Sequence, residues 1–536
     1  MTLIVQGLGI LLLVLLAAGI TIRLLYPLPD LGPRPVSRYL EDTARTPLGQ
    51  GATKLISRQD VPAGYSGVHM LKDGRDAFAA RILLARSATR TLDVQYYIWH
   101  GDLSGTLLLE AMRDAAERGV RVRLLLDDNG IAGLDDVLAA LDRHPNIEIR
   151  LFNPFVLRKP KMLGYLADFA RLNRRMHNKS FTADNQATII GGRNVGDEYF
   201  GARDDGLFAD LDVLAIGPVV GDVSRDFDRY WSSRSAYPAE RILPPASQRE
   251  RESLRAAAAR IGQDPAARAY IDAVRSLPFI EQVIAGTLPF EWTQVRMVSD
   301  DPAKGTGEAR EEQFLAPSLR QAIGQPRQEV RLISGYFVPT RAGVEAFASL
   351  SGEGKDVAIF TNAFEATDVW IVHAGYAERR KALLRAGVRL FEMRGPDRID
   401  NRRNRRKLLA TGSGSSVGKE GPVLRSSSAT LHAKTFAIDR QRVFIGSFNF
   451  DPRSIHLNTE LGFVIESPAL ASLVATAFDD SIPHRAYEVV LNENGNLTWR
   501  ELDGKQTIVH ETEPGTSRFQ RWGIGILSKL PIEWLL

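Results

Sequence analysis

The pattern H-x-K-x-x-x-x-D occurs twice in this chain, as His177, Lys179 and Asp184 and again as His432, Lys434 and Asp439. Each copy is followed at the same offset by a Gly-containing turn and an asparagine: Gly191-Gly192-Arg193-Asn194 in the first, Gly446-Ser447-Phe448-Asn449 in the second. The segments ahead of the motifs recur in the same order. LDVQYYIW, the amphipathic helix SGTLLLEAMRDAAERG and the apolar strand VRVRLLLDD precede the first. EVRLISGYFVP, an Ala-rich helix, DVAIFTN, a helix through AERRKALLRAG and the strand VRLFEMR precede the second. Such alternation predicts an α/β architecture with a largely parallel or mixed sheet flanked by helices. The recurrence predicts two copies of one unit of about two hundred residues. We expect a first repeat over 76–243, a helical connector over 244–290, a second repeat over 291–500 and a C-terminal tail over 501–536.

Histidine and lysine two apart on a strand project from one face, so each motif presents an imidazole and an ammonium together. Two such pairs brought face to face place two cations, two titratable rings and the amides of Asn194 and Asn449 around one tetrahedral anion. One imidazole can attack phosphorus while the other protonates the departing oxygen. The lysines and asparagines then stabilise charge on the non-bridging oxygens, and no carboxylate cluster calls for a metal or other cofactor. Asp184 and Asp439 lie further along, where bonds to backbone or turn residues are the expected role. His373 and the aromatics Tyr96, Tyr97 and Tyr336 are candidates for the pocket entrance, with core positions as the alternative.

The chain has no cysteine, which excludes disulfides, zinc–thiolate sites and a thiol nucleophile. Its net charge of +4 is small for a nucleic-acid protein. Basic residues are instead clustered ahead of the motifs, from Arg158-Lys159-Pro160-Lys161 to Arg174-Arg175 and from Arg402-Arg403 to Lys407. The second of these clusters lacks the interleaved aromatics of a single-strand binder; either could face an anionic membrane. Leu3 to Ile22 carries no charge and is long enough to span a bilayer, with a cleaved signal as the rival reading. Arg23, Arg34 and Arg38 follow it, which favours a cytoplasmic catalytic portion, and 27–75 reads as a Pro/Gly/Arg-rich linker. The ending RFQRWGIGILSKLPIEWLL, with Trp522 and Trp534, could lie in the membrane interface or dock on the domain.

The paired motifs resemble the phospholipase D superfamily over nearly all of residues 76–500. The resemblance implies two repeats about a pseudo-twofold axis, an active site at their interface and a phosphohistidine intermediate on His177, with His432 as general acid and then base. It also implies an acidic residue after each motif to orient a histidine: Glu460 in LNTELGFVIESP, and Asp210 in FADLDVLAIGP. The first repeat departs from the family's G-S-x-N, since Gly192 stands where the second has Ser447. GGRNVGDEYF, GSFNFDPRSIHLNTE, LDVQYYIWHGDLSG and TNAFEATDVWIVHAGY are similar to bacterial cardiolipin synthases of the C-type branch. That similarity implies transfer of a phosphatidyl group to phosphatidylglycerol at the inner membrane, with phosphatidylethanolamine as a further candidate donor and no nucleic acid or protein partner. A hydrolytic phospholipase D releasing phosphatidic acid and a nuclease are the alternatives.

Overall fold

A computed structural model of the protein describes residues 2–34, 36–202, 208–245, 256–367, 369–395, 430–504 and 506–528. The first half supplies β1 (Ser66–Leu71), β2 (Thr91–Ile98), β3 (Arg121–Gly130), β4 (Ile147–Phe152) and β5 (Ser180–Ala183). It continues with β6 (Ala187–Gly191), β7 (Phe208–Ala209), β8 (Asp212–Ile216), β9 (Ala236–Pro238) and β10 (Glu291–Thr293). The second half supplies β11 (Val295–Ser299), β12 (Glu329–Ser334), β13 (Asp356–Asn362), β14 (Arg389–Met393), β15 (Thr430–Leu431) and β16 (Lys434–Ile438). Then come β17 (Arg442–Gly446), β18 (Leu461–Ile465), β19 (Ala486–Leu491), β20 (Leu497–Asp503) and β21 (Gln506–His510).

The duplication is visible in the strand order. β1-β8-β6-β5-β2-β3-β4 runs through the first sheet, and β11-β18-β17-β16-β12-β13-β14 runs through the second. In each, three parallel strands meet an antiparallel hairpin: β2, β3 and β4 against β5, and β12, β13 and β14 against β16. Parallel strands covered by helices are apolar on both faces, which is why VRVRLLL and DVAIF read as continuous runs. The two sheets meet on a shared core in which Val68, Met70 and Val213 pack with Ala437, Ile445 and Phe463. β7 and β15 form a small parallel ribbon that crosses from one repeat to the other.

Part of the expected linker belongs to the fold: β1 lies in the first sheet, and Arg34 donates to the carbonyls of Ser232, Ser233 and Ala236. The connector is helical at Pro265–Arg275 and Pro278–Ala285, and its Tyr270, Val274 and Phe279 join the first repeat's core. Past the second repeat, the expected tail supplies β21 and a helix.

Among the helices, α1 (Thr2–Leu25) is N-terminal, α2 (Gly164–Leu172) precedes the first motif, α3 (Trp370–Ala377) follows β13 and α4 (Arg518–Leu527) lies in the C-terminal segment. The segment expected to span a bilayer is α1, yet among the described residues no helix is long and apolar enough to cross a membrane. α1 lies against α2, with Gly19 so close to Leu166 that an added Cβ would meet its carbonyl oxygen at 2.5 Å. The basic stretch from Arg402 to Lys407, together with Lys529 and Trp534, lies outside the described residues.

Candidate active site

Because β5 runs antiparallel to β2, and β16 to β12, the segments entering β5 and β16 lie at the C-terminal ends of the parallel strands. His177 and His432 occupy those segments. Neither is inside a strand, contrary to the reading of each motif as a strand face: β5 begins at Ser180 and β16 at Lys434. The reason is pairing across the repeats. His177 donates its backbone N–H to Thr459 O at 2.9 Å, and His432 donates to Ala209 O at 2.9 Å. Each motif backbone is therefore held by the other half of the molecule.

The side chains are crossed in the same way. His177 Nδ1 lies 2.8 Å from the Glu460 carboxylate of the second repeat and 3.1 Å from Ser447 O. Both are acceptors, so Nδ1 carries the hydrogen and Nε2 keeps its lone pair. His432 Nδ1 lies 2.5 Å from Asp210 of the first repeat. Glu460 is completed by the hydroxyls of Ser447 at 2.5 Å and Ser454 at 2.8 Å; Asp210 accepts the Leu211 N–H at 2.8 Å.

Lys179 and Lys434 each donate to the backbone carbonyl of their own motif histidine, and each ammonium sits 5.6 Å from the centre of a tyrosine ring, Tyr97 and Tyr336 respectively. Tyr97 stands edge-on to His177 at 5.0 Å. His432 is more enclosed, with Phe208 at 5.2 Å, Tyr199 at 5.3 Å and Tyr336 at 5.8 Å. Of the four proposed entrance residues, Tyr97 and Tyr336 are at the site. Tyr96 is buried against Arg81, and His373 is buried against Glu513. Ser454, Tyr199 and Phe208 lie in the stretches that carry the family resemblance, but no motif singles them out; each reaches the site only through a chain reversal that local pattern does not report.

Asn194 accepts from Ile98 N–H at 3.2 Å and donates to Tyr199 OH at 3.0 Å, so it braces a wall of the site. Asn449 is buried, and its carboxamide oxygen has no hydrogen-bond partner among the described residues. Asp184 and Asp439 stand apart from the histidines at the far ends of β5 and β16. Asp184 accepts the backbone N–H groups of Thr89, Arg90 and Thr91; Asp439 accepts those of Arg327, Gln328 and Glu329. These two carboxylates staple turns and do not reach the reacting groups.

Burial decides the charge states. It drives His177 well below the usual histidine range, and the positive charges of Lys179 and Lys434 push the same way. His432 is lowered to about 4 by burial and by Lys434, against the pull of Asp210. Burial lowers Lys179 to about 7, opposed by Glu460 and reinforced by Lys434. Glu460 is raised to about 7, burial outweighing Lys179. Burial opposes the ionisation of Asp210, but His432 and then Lys434 hold it below the usual carboxylate range. Each histidine thus responds to the lysine of the other repeat, so the two motifs form one electrostatic site. It holds neutral imidazoles and an excess of buried donors, which suits a tetrahedral anion. Elsewhere among the described residues, only His100, Asp102 and Glu198 approach metal-ligand spacing.

A family profile described as "Cardiolipin synthase, PLD-like domain" matches residues 82–231 and 319–482. The chain is 49% identical over 475 residues to Cardiolipin synthase C of Escherichia coli, covering 88% of this chain and 97% of that protein. It is 24% identical over 437 residues to Cardiolipin synthase A of Edwardsiella ictaluri, covering 80% and 72% of the two chains. The crystal structure of a phosphatidylserine synthase from Haemophilus influenzae superposes with a TM-score of 0.54 at 12% identity, covering 90% of this chain and 100% of that one. That likeness concerns the fold.

Proposed function

Since the chain belongs to the cardiolipin synthases with a phospholipase D-like domain, we propose that it transfers a phosphatidyl group to phosphatidylglycerol in two steps through His177. It is a phosphatidyltransferase of the phospholipase D superfamily. The observation that carries the two-step reading is the crossed arrangement in which Glu460 orients His177 and Asp210 orients His432.

In the first step Nε2 of His177 attacks phosphorus, forming an N–P bond as the bond to the headgroup oxygen breaks. His432 gives that oxygen a proton. The phosphodiester itself prepares this step. Next to burial, Lys434 is the main cause of His432's low proton affinity, and a bound anion offsets that charge. In the second step His432 takes the proton of a phosphatidylglycerol hydroxyl, whose oxygen attacks phosphorus and displaces His177. Tyr97, Lys179 and Glu460 flank His177, while Tyr199, Phe208 and Tyr336 wall in His432. The aromatic wall supports transfer over hydrolysis, because a dry site disfavours water as the competing acceptor.

Phosphatidylglycerol serves as acceptor and as donor, with phosphatidylethanolamine as a second donor. The site works at the bacterial inner membrane, anchored through α1 with the catalytic portion on the cytoplasmic side. Incubation with phosphatidylglycerol vesicles, with and without phosphatidylethanolamine, should yield cardiolipin. Phosphatidic acid without cardiolipin would overturn transfer. His177→Ala should lower turnover by about a thousandfold or more and abolish a trapped phosphoryl-enzyme. An adduct surviving in that variant would move the nucleophile to His432.

A further inference from the structure

A folded surface hides large apolar side chains or gives them a partner, and contiguous exposed apolar patches mark interaction sites. Two such patches concentrate much of the exposed apolar surface among the described residues. The first joins α1 and α2. Every side chain from Ile10 to Leu16 is between 41% and 69% exposed, and beside them Met162, Leu163, Leu166 and Phe169 of the α2 segment are 41–56% exposed. The second is α4 packed on α3. α4 buries Ile524 against Phe364 and Ala374, then turns Phe519, Trp522 and Ile526 outward at 85%, 70% and 44%, next to exposed Trp370. Phe519, Trp522 and Ile526 follow helical spacing along one stripe, so α4 is apolar on two faces while the domain covers only one.

Both patches belong to the catalytic end of the sheets. α2 lies between the C-terminal end of β4 and His177, and Asn153, which follows β4, donates to the carbonyls of Arg171 and Arg174. α3 follows the C-terminal end of β13, where Asn362 pairs with Leu431, the neighbour of His432. Each repeat thus carries one apolar ridge at the end of its sheet that holds its own histidine. Lys159 and Arg518 are exposed at the margins.

We propose that the α1–α2 and α3–α4 ridges together seat the protein on an anionic phospholipid bilayer with the histidine-bearing end of the sheets facing the lipid. The choice of a bilayer as occupant rests on the lipid-transfer reading and on three features. The first patch includes part of an uncharged twenty-residue run, basic residues edge the ridges, and tryptophan is placed where interfaces favour it. A ridge on each repeat, at the end of the sheets that carries the histidines, lets a two-tailed lipid lift only its phosphate toward them while its chains stay in the bilayer. They also place both substrates in the same leaflet.

The chain has no cysteine, so a single introduced one is a unique label site. Full-length Phe169→Cys, Trp522→Cys and Glu353→Cys, the last on an exposed turn at the opposite end of the second sheet, are coupled to a fluorophore. Each is mixed with vesicles of phosphatidylglycerol and phosphatidylethanolamine containing nitroxide lipid. Labels at 169 and 522 should be quenched by the nitroxide and shielded from aqueous iodide, and the label at 353 should not. Iodide access at 522 unchanged by vesicles, or quenching at one ridge alone, would overturn the proposal.

Activity gives an independent reading. Phe519→Ser with Trp522→Ser should lower turnover on vesicles by about tenfold and leave turnover of a monomeric short-chain lipid within about twofold. Equal loss on both substrates would overturn the proposal. Quenching as expected with no lipid turnover by the native protein would support the docking and reject the transferase reading.

Discussion

At the scale of single residues, the two halves of the site solve one problem with different side chains. The second repeat orients His177 with Glu460 held by Ser447, and the first orients His432 with Asp210 beside Gly192. From sequence, Gly192 is a serine lost from the family pattern. The structure supplies the reason: a Cβ at that position would meet Asp210 Oδ1 at 2.1 Å. The shorter acid needs the space that the serine would fill. Gly192→Ser should therefore push Asp210 off His432 and lower kcat by about 10–100-fold. Adding Asp210→Glu, which recreates the serine–glutamate set of the other repeat, should recover much of that loss in steady-state assays. If the double variant is no better than the single one, steric pairing is not the cause of the asymmetry.

At the scale of elements, the aspartates that end the two motifs work as turn staples. Both sit in the left-handed region, at φ of 51° for Asp184 and 54° for Asp439, where aspartate is better tolerated than most residues. Their carboxylates gather the N–H groups entering β2 and β12, so each motif fixes its hairpin to the strand beside it. Both segments include exposed residues, Thr89 and Arg90 in one and Arg327 and Gln328 in the other, but Asp184 itself is fully buried whereas Asp439 is only half-buried. Removing an acceptor from buried donors leaves them unsatisfied, while water can replace it at an exposed turn. Urea denaturation should show Asp184→Ala costing about 3 kcal/mol or more and Asp439→Ala about 1–2 kcal/mol. Both folded variants should keep kcat within about threefold, and a much larger loss would place these carboxylates in the chemistry.

At the scale of the whole molecule, the titrating set spans both repeats. Lys179 comes from the first, Glu460 and Lys434 from the second, and Lys179 and Glu460 are both brought to about 7. Below that pH Glu460 takes a proton and stops accepting the His177 Nδ1 hydrogen; above it Lys179 loses the charge that the proposed mechanism sets against the phosphate. The profile of kcat/KM should be bell-shaped around pH 7, its apparent constants belonging to the set as a whole. Glu460→Gln should remove the acid limb. A bound phosphodiester raises the lysine, so the alkaline limb of kcat should lie at higher pH than that of kcat/KM. Stability follows with defined signs. Glu460, raised from 4.5, makes it fall as pH rises from 4.5 to about 7, and Lys179, lowered from 10.5, makes it climb from about 7 towards 10.5. By itself the sequence determined the duplication, the chemistry of its paired motifs and the mixed α/β repeats, because period and spacing report on neighbours along the chain; the candidate orienting acids came from the family resemblance. Only the tertiary structure decided that each acid serves the histidine of the other repeat, that the histidines lie just outside their strands, and that apolar ridges stand at the same end of the sheets. Those relations join residues as far apart as 222 and 283 positions, and packing of the two sheets on their shared core is what brings them together.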